Sequence, residues 1–244
     1  MKITIITACY NAEQSIERTL LSVINQTYDN IEYIVIDGNS QDRTVDIIRK
    51  YDNRITKWIS EPDNGLYDAL NKGVRMATGE WIGILNCGDF FCADDTIERF
   101  FSKTIPSDIG VVYGNCYEID NEIRTYKKFC SPLVGSHLPP DYRHGASFVR
   151  RSVHLNFLYA TEEVSKYEYS LDYLQIFRMY KMGVVFWYND VDVIDYEKVG
   201  ISDNPWKNKY IRSLIQNEGK KNFSFYTTFL IFIFKAIKNK LINK

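Results

Sequence analysis

Two apolar runs in the first third of this chain each lead into a loop that carries an aspartate. Residues 31–36 (IEYIVI) lead into Asp37, and residues 81–85 (WIGIL) lead through Asn86 into Asp89. Short apolar runs of this kind predict buried strands. If both strands lie in one parallel sheet, both loops leave it at the carboxyl edge, where open α/β sheets bind ligands. The sequence therefore predicts an α/β fold with two carboxylates at one crevice.

The rest of the first half alternates strand and helix patterns. Residues 3–7 and 56–60 predict two further strands, and helical spacing of apolar residues predicts helices between them. The residues expected to precede these helices are Asn11, Ser40, Gly65 and Asp94. Farther along, residues 109–113 and 184–188 predict strands, and residues 171–182 predict a helix. This order favours a Rossmann-like, mainly parallel sheet with helices on both faces.

Composition excludes some classes of partner. The chain has 244 residues and a net charge of −1, so we expect no nucleic acid partner recruited by bulk charge. Its five cysteines form no C-x-x-C pair, which favours reduced thiols over a disulfide framework or a zinc site. The first residues do not resemble a signal peptide. We therefore expect a cytoplasmic protein.

Phosphate-binding loops of the common kinds are absent from the sequence. The first strand is followed by residues 7–11 (TACYN), which contain no glycine, so the G-x-G-x-x-G fingerprint is missing. No G-x-x-x-x-G-K-[ST] motif occurs either. A nucleoside held by Asp37 and a cation held by Asp89 would together form a site for a nucleoside diphosphate. Magnesium and manganese are the expected cations, because they prefer carboxylate oxygens.

Several ordered motifs carry a resemblance to a known family. They are residues 7–11 (TACYN), 26–28 (QTY), 37–40 (DGNS) with Asp42 and Thr44, and 60–73 (SEPDNGLYDALNKG), continuing through Ala77, Gly79 and Glu80 to 85–89 (LNCGD). In these motifs the chain resembles bacterial family 2 glycosyltransferases with the GT-A fold. The resemblance implies inverting transfer of a sugar from a UDP-, GDP- or dTDP-linked donor to an acceptor hydroxyl. It also implies a role in surface polysaccharide biosynthesis, with a saccharide or lipid-linked saccharide as acceptor.

The resemblance also implies a division of the chain. Residues 1–210 are expected to form a single catalytic domain, with a nucleotide-sugar-binding half at 1–115 and an acceptor half at 116–210. Residues 211–244 are expected to form a C-terminal helical tail.

Carried over by position, the resemblance assigns the site residues. The donor contacts are expected from Thr7, Tyr10, Asn11, Asp37, Asn39, Asp68, Asn71, Lys72, Asn86 and His144. Asp89 is the last acid of a D-x-D-type motif and is expected to bind Mn²⁺ or Mg²⁺. The motif reads Cys87-Gly88-Asp89, so it offers a single carboxylate. For Asp68 and Lys72, an ordinary i,i+4 pair on a helix surface remains the alternative.

The catalytic base is expected in the second half. Inverting transfer needs a carboxylate that accepts the proton of the attacking hydroxyl. Asp172, in the segment YSLDYL, resembles the family's acid at the start of a helix. The competing acids are Asp141, Glu162, Glu163 and Glu168.

Two further segments have predicted roles. Residues 199–202 are a candidate lid over the diphosphate, with a plain surface loop as the alternative. Residues 225–234 (FYTTFLIFIF) are strongly apolar and flanked by lysines, yet shorter than the roughly 20 residues needed to span a bilayer. We therefore predict that residues 223–244 lie on the inner face of the cytoplasmic membrane, with docking on the core or on a second subunit as the alternative.

Two other functions remain open at this point. A sugar-nucleotide nucleotidyltransferase would also use an α/β fold and a metal at a strand end. A catalytically inactive nucleotide-sugar-binding protein is compatible with the reduced Cys87-Gly88-Asp89 motif.

Overall fold

A computed structural model describes residues 1–132, 135–198, 205–223, 225–227 and 230 of the chain. Its strands are β1 (Ile3–Cys9), β2 (Ile31–Asp37), β3 (Lys57–Ser60), β4 (Trp81–Ile84), β5 (Phe90–Phe91), β6 (Ile109–Asp120), β7 (Ile123–Lys127), β8 (Ser147–Arg150) and β9 (Val185–Glu197). Its α-helices are α1 (Ile16–Ile24), α2 (Thr44–Lys50), α3 (Leu66–Met76), α4 (Thr96–Phe100), α5 (Arg151–Asn156), α6 (Val164–Tyr167), α7 (Leu171–Lys181) and α8 (Pro205–Gln216). The candidate lid at 199–202 lies outside the described residues.

The strands of the described chain form one mixed sheet in the order β3-β2-β1-β4-β8-β6-β9-β5, with β7 paired to β6. The first four strands are parallel, as expected from the alternation of strands and helices. Strand β8 runs antiparallel to both β4 and β6, and β6 then pairs in parallel with β9. The predicted α/β fold is confirmed, and its parallel part is the half that carries Asp37 and Asp89.

Helices cover both faces of this sheet. On one face, α1, α2 and α4 bury apolar residues such as Leu20, Ile48 and Phe100 in a common cluster. On the other face, α3, α7 and α8 form a second cluster that includes Val74 and Leu174. Alternate side chains of β1 enter the two clusters, as the two-residue repeat of a strand requires. Each fully buried aliphatic side chain of this size stabilises the fold by about 1.5–3 kcal/mol.

Helix α3 lies unusually close to the sheet. At Gly73, a Cβ atom would stand 2.5 Å from Cγ2 of Ile6 in β1. A contact of that length is not tolerated, so only glycine allows α3 to approach β1 this closely. The close approach fixes the height of the whole helix above the sheet, including its first two turns.

Two residues expected to cap helices have other roles. Helix α1 begins at Ile16, and Asn11 lies in the preceding loop with a φ of 47°. The Asn11 N–H donates to Ser40 Oγ at 2.8 Å, and Asn11 Oδ1 accepts from the Gln41 N–H at 2.8 Å. These side chains therefore join the loop after β1 to the loop after β2. Asn and Ser suit both roles, because their short polar side chains bond to nearby backbone in loops and at caps alike.

The last described helix crosses the boundary predicted between residues 210 and 211. Helix α8 is continuous over Pro205–Gln216 and packs Ile211, Leu214 and Ile215 on the core. Phe225 is 1% exposed and packs in the same cluster. The predicted division therefore cuts an element that belongs to the folded domain. Among the described residues, none of the helices has the length and apolar character that crossing a bilayer requires.

Candidate active site

Asp37 organises the loops that follow β2 and β3. Its side chain has no exposed surface. Oδ2 accepts hydrogen bonds from the Ser40 N–H at 3.0 Å and the Ser60 hydroxyl at 2.6 Å, while Oδ1 accepts from the Ser40 hydroxyl at 2.5 Å. The Asp37 carboxylate thus accepts hydrogen bonds from the loops around it. A nucleoside contact by Asp37 stays a prediction.

The exposed rim of this region comes from neighbouring residues. Tyr10 is 62% exposed, and Asn39 is exposed with a φ of 65°. At Gly38, a Cβ atom would lie 2.6 Å from Asp63 Oδ2 and 3.4 Å from the Tyr10 ring. The Tyr10 ring and the Asp63 carboxylate therefore both lie close to the Gly38 backbone, which has no side chain of its own. Such an arrangement can stack a base and accept a hydrogen bond from it.

Thr7 lies away from this rim. It has no exposed surface, and its hydroxyl is 3.1 Å from the hydroxyl of the buried Tyr33. The structure therefore places the Thr7 side chain between the sheet and its helices, and its predicted contact with the nucleoside has no support from its position.

The loop that carries Asp89 is held by α1. Thr19 Oγ1 accepts from the Gly88 N–H at 3.0 Å and donates to the Asp89 carbonyl at 2.8 Å. Arg18 donates to the Gly88 carbonyl at 2.9 Å and also pairs with Glu197 at the end of β9. Two strands and one helix therefore converge on the backbone around Asp89.

The Asp89 carboxylate is buried, and few hydrogen bonds offset the loss of its hydration. It is 5% exposed, and its Oδ1 accepts from the Glu197 N–H at 3.3 Å. Burial raises the pKa of Asp89 to about 7, with the Glu197 N–H and the Arg143 charge acting in the opposite direction. A second oxygen close in sequence, Asn86 Oδ1, is buried without a hydrogen-bond partner. A buried carboxylate and an unpaired amide oxygen are oxygen ligands suited to Mg²⁺ or Mn²⁺.

The described residues contain no cluster of three or more His, Cys, Asp or Glu side chains that could hold a metal. Asp89 is the carboxylate that the motif offers, with the Glu197 charge nearby, so a bound metal would need further ligands from a diphosphate and water. The thiol of Cys87 faces the Ser15 hydroxyl at 3.4 Å. Burial raises the pKa of Cys87 to about 11, which disfavours a thiolate ligand there.

Residues 144 and 145 connect Asp89 to the second half of the chain. At Gly145, a Cβ atom would stand 3.8 Å from Asp89 Oδ2. The adjacent His144 is partly buried, and its Nε2 lies 2.8 Å from the Tyr159 hydroxyl. Burial lowers the pKa of His144, opposed by the charge of Asp172. The segment therefore touches Asp89 on one side and the surroundings of Asp172 on the other.

Asp172 stands in the first turn of α7. Its Oδ1 accepts from the Tyr173 N–H at 2.8 Å, and the side chain is partly buried. After burial, its negative charge is the largest cause that raises the pKa values of Tyr67 and Tyr159. Asp172 therefore sits beside two buried phenols and close to His144. Of the competing acids, Glu163 pairs with Arg178 and Asp141 with Arg212.

Three predicted donor contacts on and near α3 are engaged within the protein. Asn71 is 4% exposed, and both ends of its amide bond to the backbone of Tyr159. Lys72 pairs with Glu61 at 2.8 Å and donates to the Pro62 carbonyl, so it does not form the i,i+4 pair with Asp68. Asp68 instead accepts from the Asn64 N–H at 3.0 Å. Asn71 thus has a structural role, because a buried amide needs partners for both its donor and its acceptor.

The sequence analysis did not identify several residues of the site. They are Arg18, Thr19, Tyr67, Tyr159 and Glu197. Arg18 bonds to groups 70 and 179 positions away in the chain. Nothing in local spacing identifies such partners, since each residue also suits an ordinary helix or strand.

Comparison with known proteins adds relatives in sequence and in structure. A UDP-Glc:alpha-D-GlcNAc-diphosphoundecaprenol beta-1,3-glucosyltransferase of Escherichia coli is 34% identical over 131 residues, which cover 53% of this chain and 51% of that relative. A PGL/p-HBAD biosynthesis glycosyltransferase of Mycobacterium bovis is 33% identical over 118 residues, covering 46% of this chain and 45% of that relative. The chain thus spans about half the length of the curated relatives it matches.

Solved structures share the fold at low sequence identity. Residues 1–349 of Staphylococcus aureus TarS, in complex with UDP, match with a TM-score of 0.66 at 17% identity, over 88% of this chain and 65% of that chain. A mannosyltransferase of Pyrobaculum calidifontis, in complex with GDP-Man and Mn²⁺, matches with a TM-score of 0.64 at 17% identity, over 93% and 68% of the two chains. The sequence profile of glycosyl transferase family 2 matches residues 4–241. The chain belongs to glycosyl transferase family 2.

Proposed function

We propose that this chain transfers a sugar from a nucleoside-diphosphate sugar to an acceptor hydroxyl with inversion at the anomeric carbon. The observation that supports the proposal is the placement of residues 144 and 145 between two carboxylates. Gly145 lies against Asp89, and His144 lies in the group of side chains around Asp172. A cation site and a base would then flank one crevice at the carboxyl edge of the sheet.

In the proposed reaction, each group has a defined task. Asp172 accepts the proton of the acceptor hydroxyl as that oxygen forms its bond to the anomeric carbon. The bond between the anomeric carbon and the diphosphate oxygen breaks, and the nucleoside diphosphate leaves from the opposite face. Asp89, with Asn86 nearby, would hold Mn²⁺ or Mg²⁺, which supplies positive charge for the leaving diphosphate. The Tyr10 and Asp63 rim would bind the nucleoside, next to the loop that Asp37 organises.

The substrates are proposed from the relatives. The named donors and ligands among them are UDP-Glc, UDP and GDP-Man, which support a UDP- or GDP-linked sugar as the donor. A dTDP-linked sugar is expected from the family resemblance alone. The relative from Escherichia coli acts on a sugar diphosphate of undecaprenol. We therefore propose a saccharide or lipid-linked saccharide acceptor, in bacterial surface polysaccharide biosynthesis.

A panel of donors tests this function. Purified protein is incubated with UDP-, GDP- and dTDP-sugars and Mn²⁺, with and without polyprenyl-diphosphate sugars. Transfer, or slow release of the nucleoside diphosphate without acceptor, supports the proposal. Release of pyrophosphate from a nucleoside triphosphate and a sugar phosphate would instead support a nucleotidyltransferase. Donor binding without any turnover would support an inactive binding protein.

Contact with a membrane surface is proposed for the end of the described chain. Phe223, Tyr226 and Leu230 are 85%, 53% and 49% exposed. They are three and four positions apart, the spacing that would place side chains on one side of a helix. Lys220 and Lys221 precede them and are also exposed. Aromatic residues beside lysines favour the interface of an anionic membrane.

Flotation with vesicles tests the membrane contact. Phe223→Ser combined with Tyr226→Ser should reduce binding to anionic vesicles, because less apolar surface enters the interface. Ile123→Ser is the matched control, since Ile123 is 68% exposed on the distant strand β7. Equal flotation of the double variant and the unaltered protein would refute the contact.

A further inference from the structure

Helix α3 presents two buried polar side chains to the second half of the chain. Tyr67 and Asn71 are 7% and 4% exposed and lie four positions apart, so they occupy one face of the helix. Both side chains bond to backbone groups far away in sequence, in the segments around residues 159 and 169. The helix that begins right after the donor-side loop at 60–65 therefore also holds the half that carries Asp172.

Asn71 fixes the loop that contains Tyr159. Its Nδ2 donates to the Tyr159 carbonyl at 2.9 Å, and its Oδ1 accepts from the Tyr159 N–H at 2.9 Å. A side-chain amide is the group that offers a donor and an acceptor at this separation, so it can replace a strand-like backbone pair. The hydroxyl of the same Tyr159 contacts His144 Nε2 at 2.8 Å.

Tyr67 reaches the start of α7. Its hydroxyl donates to the Tyr169 carbonyl at 2.7 Å, and its ring centroid lies 5.3 Å from that of Tyr159. Ser170, the residue that precedes the helix, makes no side-chain capping hydrogen bond. In the first turn, the Tyr173 N–H donates instead to Asp172 Oδ1 at 2.8 Å.

The Tyr67 phenol is also influenced by the first residues of α7. Burial and the neighbouring Asp172 carboxylate raise the Tyr67 pKa well above its usual value, while the backbone N–H groups of Asp172 and Leu171 oppose the shift. The phenol is therefore neutral at physiological pH and keeps the proton that it donates to the Tyr169 carbonyl. One side chain of α3 thus holds the turn that leads into Asp172.

We propose that Tyr67 and Asn71 are positioning residues that fix the first turn of α7, and with it Asp172, relative to the donor-binding half. This inference rests on the proposed glycosyl transfer, in which Asp172 takes the proton of the acceptor. Both side chains bond to protein backbone. They act by setting the distance and angle between the base and the crevice beside Asp89. A base displaced by a fraction of an ångström still allows donor binding but slows the proton transfer.

Tyr67→Phe is the sharpest test, because it removes the hydroxyl and keeps the buried ring. We expect kcat for transfer to fall at least tenfold, while the donor KM and the Kd for the nucleoside diphosphate stay within twofold. Turnovers that end in donor hydrolysis should rise as a fraction of the total, since water needs less alignment than the acceptor. Tyr51→Phe is the matched control: it removes a hydroxyl bonded to Glu17, away from α7, and should leave all these values unchanged.

Hydrogen exchange supplies a readout that does not depend on turnover. In Tyr67→Phe, the amides of residues 170–174 should exchange faster, while those of β1 and β4 should keep their protection. Asn71→Asp puts an acceptor opposite the Tyr159 carbonyl. It should change kcat for transfer and the amide exchange rates in the same directions as Tyr67→Phe does.

The outcomes separate this inference from the proposed function. An active unaltered protein whose Tyr67→Phe variant keeps its kcat within twofold and its exchange pattern would overturn the positioning role alone. So would a variant that loses donor affinity as much as it loses turnover. An unaltered protein that neither transfers nor hydrolyses any donor of the panel would overturn the proposed function, and the inference with it.

Discussion

Replacing Asp89 by asparagine should stabilise the metal-free protein at alkaline pH. The unfolded chain releases the Asp89 proton near pH 3.8, whereas the folded chain keeps it until about pH 7. Because the folded state binds more protons between these values, stability falls as pH rises through this window. The shift corresponds to about 4 kcal/mol at 1.36 kcal/mol for each pKa unit. Asp89→Asn lacks this titration, so it should match the unaltered protein near pH 4 and exceed it at pH 8.

Urea denaturation at pH 5 and pH 8, with a chelator present, measures the difference. Adding Mn²⁺ should then raise the unfolding midpoint of the unaltered protein but not that of Asp89→Asn, because binding to the folded state stabilises it. An Asp89→Asn variant that is no more stable than the unaltered protein at pH 8 without metal would refute the reasoning.

Glu32→Gln is the matched control, because the stability contributed by Glu32 depends on pH with the opposite sign. Glu32 is 2% exposed, and hydrogen bonds from Thr4, Thr78 and Lys2 outweigh its burial and lower its pKa to about 2. The contribution of the Glu32 carboxylate to the free energy of unfolding is complete above pH 4.5 and is lost as pH falls towards 2. The glutamine variant should therefore be less stable at pH 8, by about 3 kcal/mol at most.

Three further outcomes are expected. Asp172→Asn should lower kcat for transfer by two or more orders of magnitude, about the contribution of a general base, and leave donor affinity unchanged by calorimetry; undiminished turnover would assign the base to another acid. Gly83→Ala should cost about 1–3 kcal/mol in chemical denaturation, because its Cβ would lie 2.7 Å from the Phe148 ring, and an unchanged midpoint would show that the ring can move. Arg18→Ala should weaken Mn²⁺ binding in an electron paramagnetic resonance titration, since Arg18 anchors the Gly88 carbonyl, and equal affinity would exclude that role.

The first half of the fold was predictable because its signals are long and repeated. The runs at 31–36 and 81–85 correspond to β2 and β4, and the helical spacing after Gly65 corresponds to α3. Strand β5 has only two residues, too few to carry a pattern. Strand β8 has four residues, as β4 does, and was missed although the run at 81–85 was recognised. The mixed character of the sheet comes from the antiparallel pairs β4–β8, β6–β8, β5–β9 and β6–β7, and the sequence analysis predicted none of β5, β7 and β8.

The site was less predictable than the fold. Asp89 and Asp172 came from ordered motifs, and the structure places residues 144–145 between their surroundings. Asn71 was expected at the donor, yet its partner is the backbone 88 positions further along the chain. A buried amide on a helix offers the same donors and acceptors to a ligand and to a distant loop. Only the tertiary arrangement distinguishes the two.

The packing of Phe225 has a consequence for any shortened form of the chain. Its ring lies 5.4 Å from that of Tyr210 and belongs to the same apolar cluster as Ile211 and Leu214. A protein ending before this residue would open a gap in its interior and expose the underside of α8. Reduced yield or aggregation of such a truncated form would then reflect lost packing, not lost affinity for lipid.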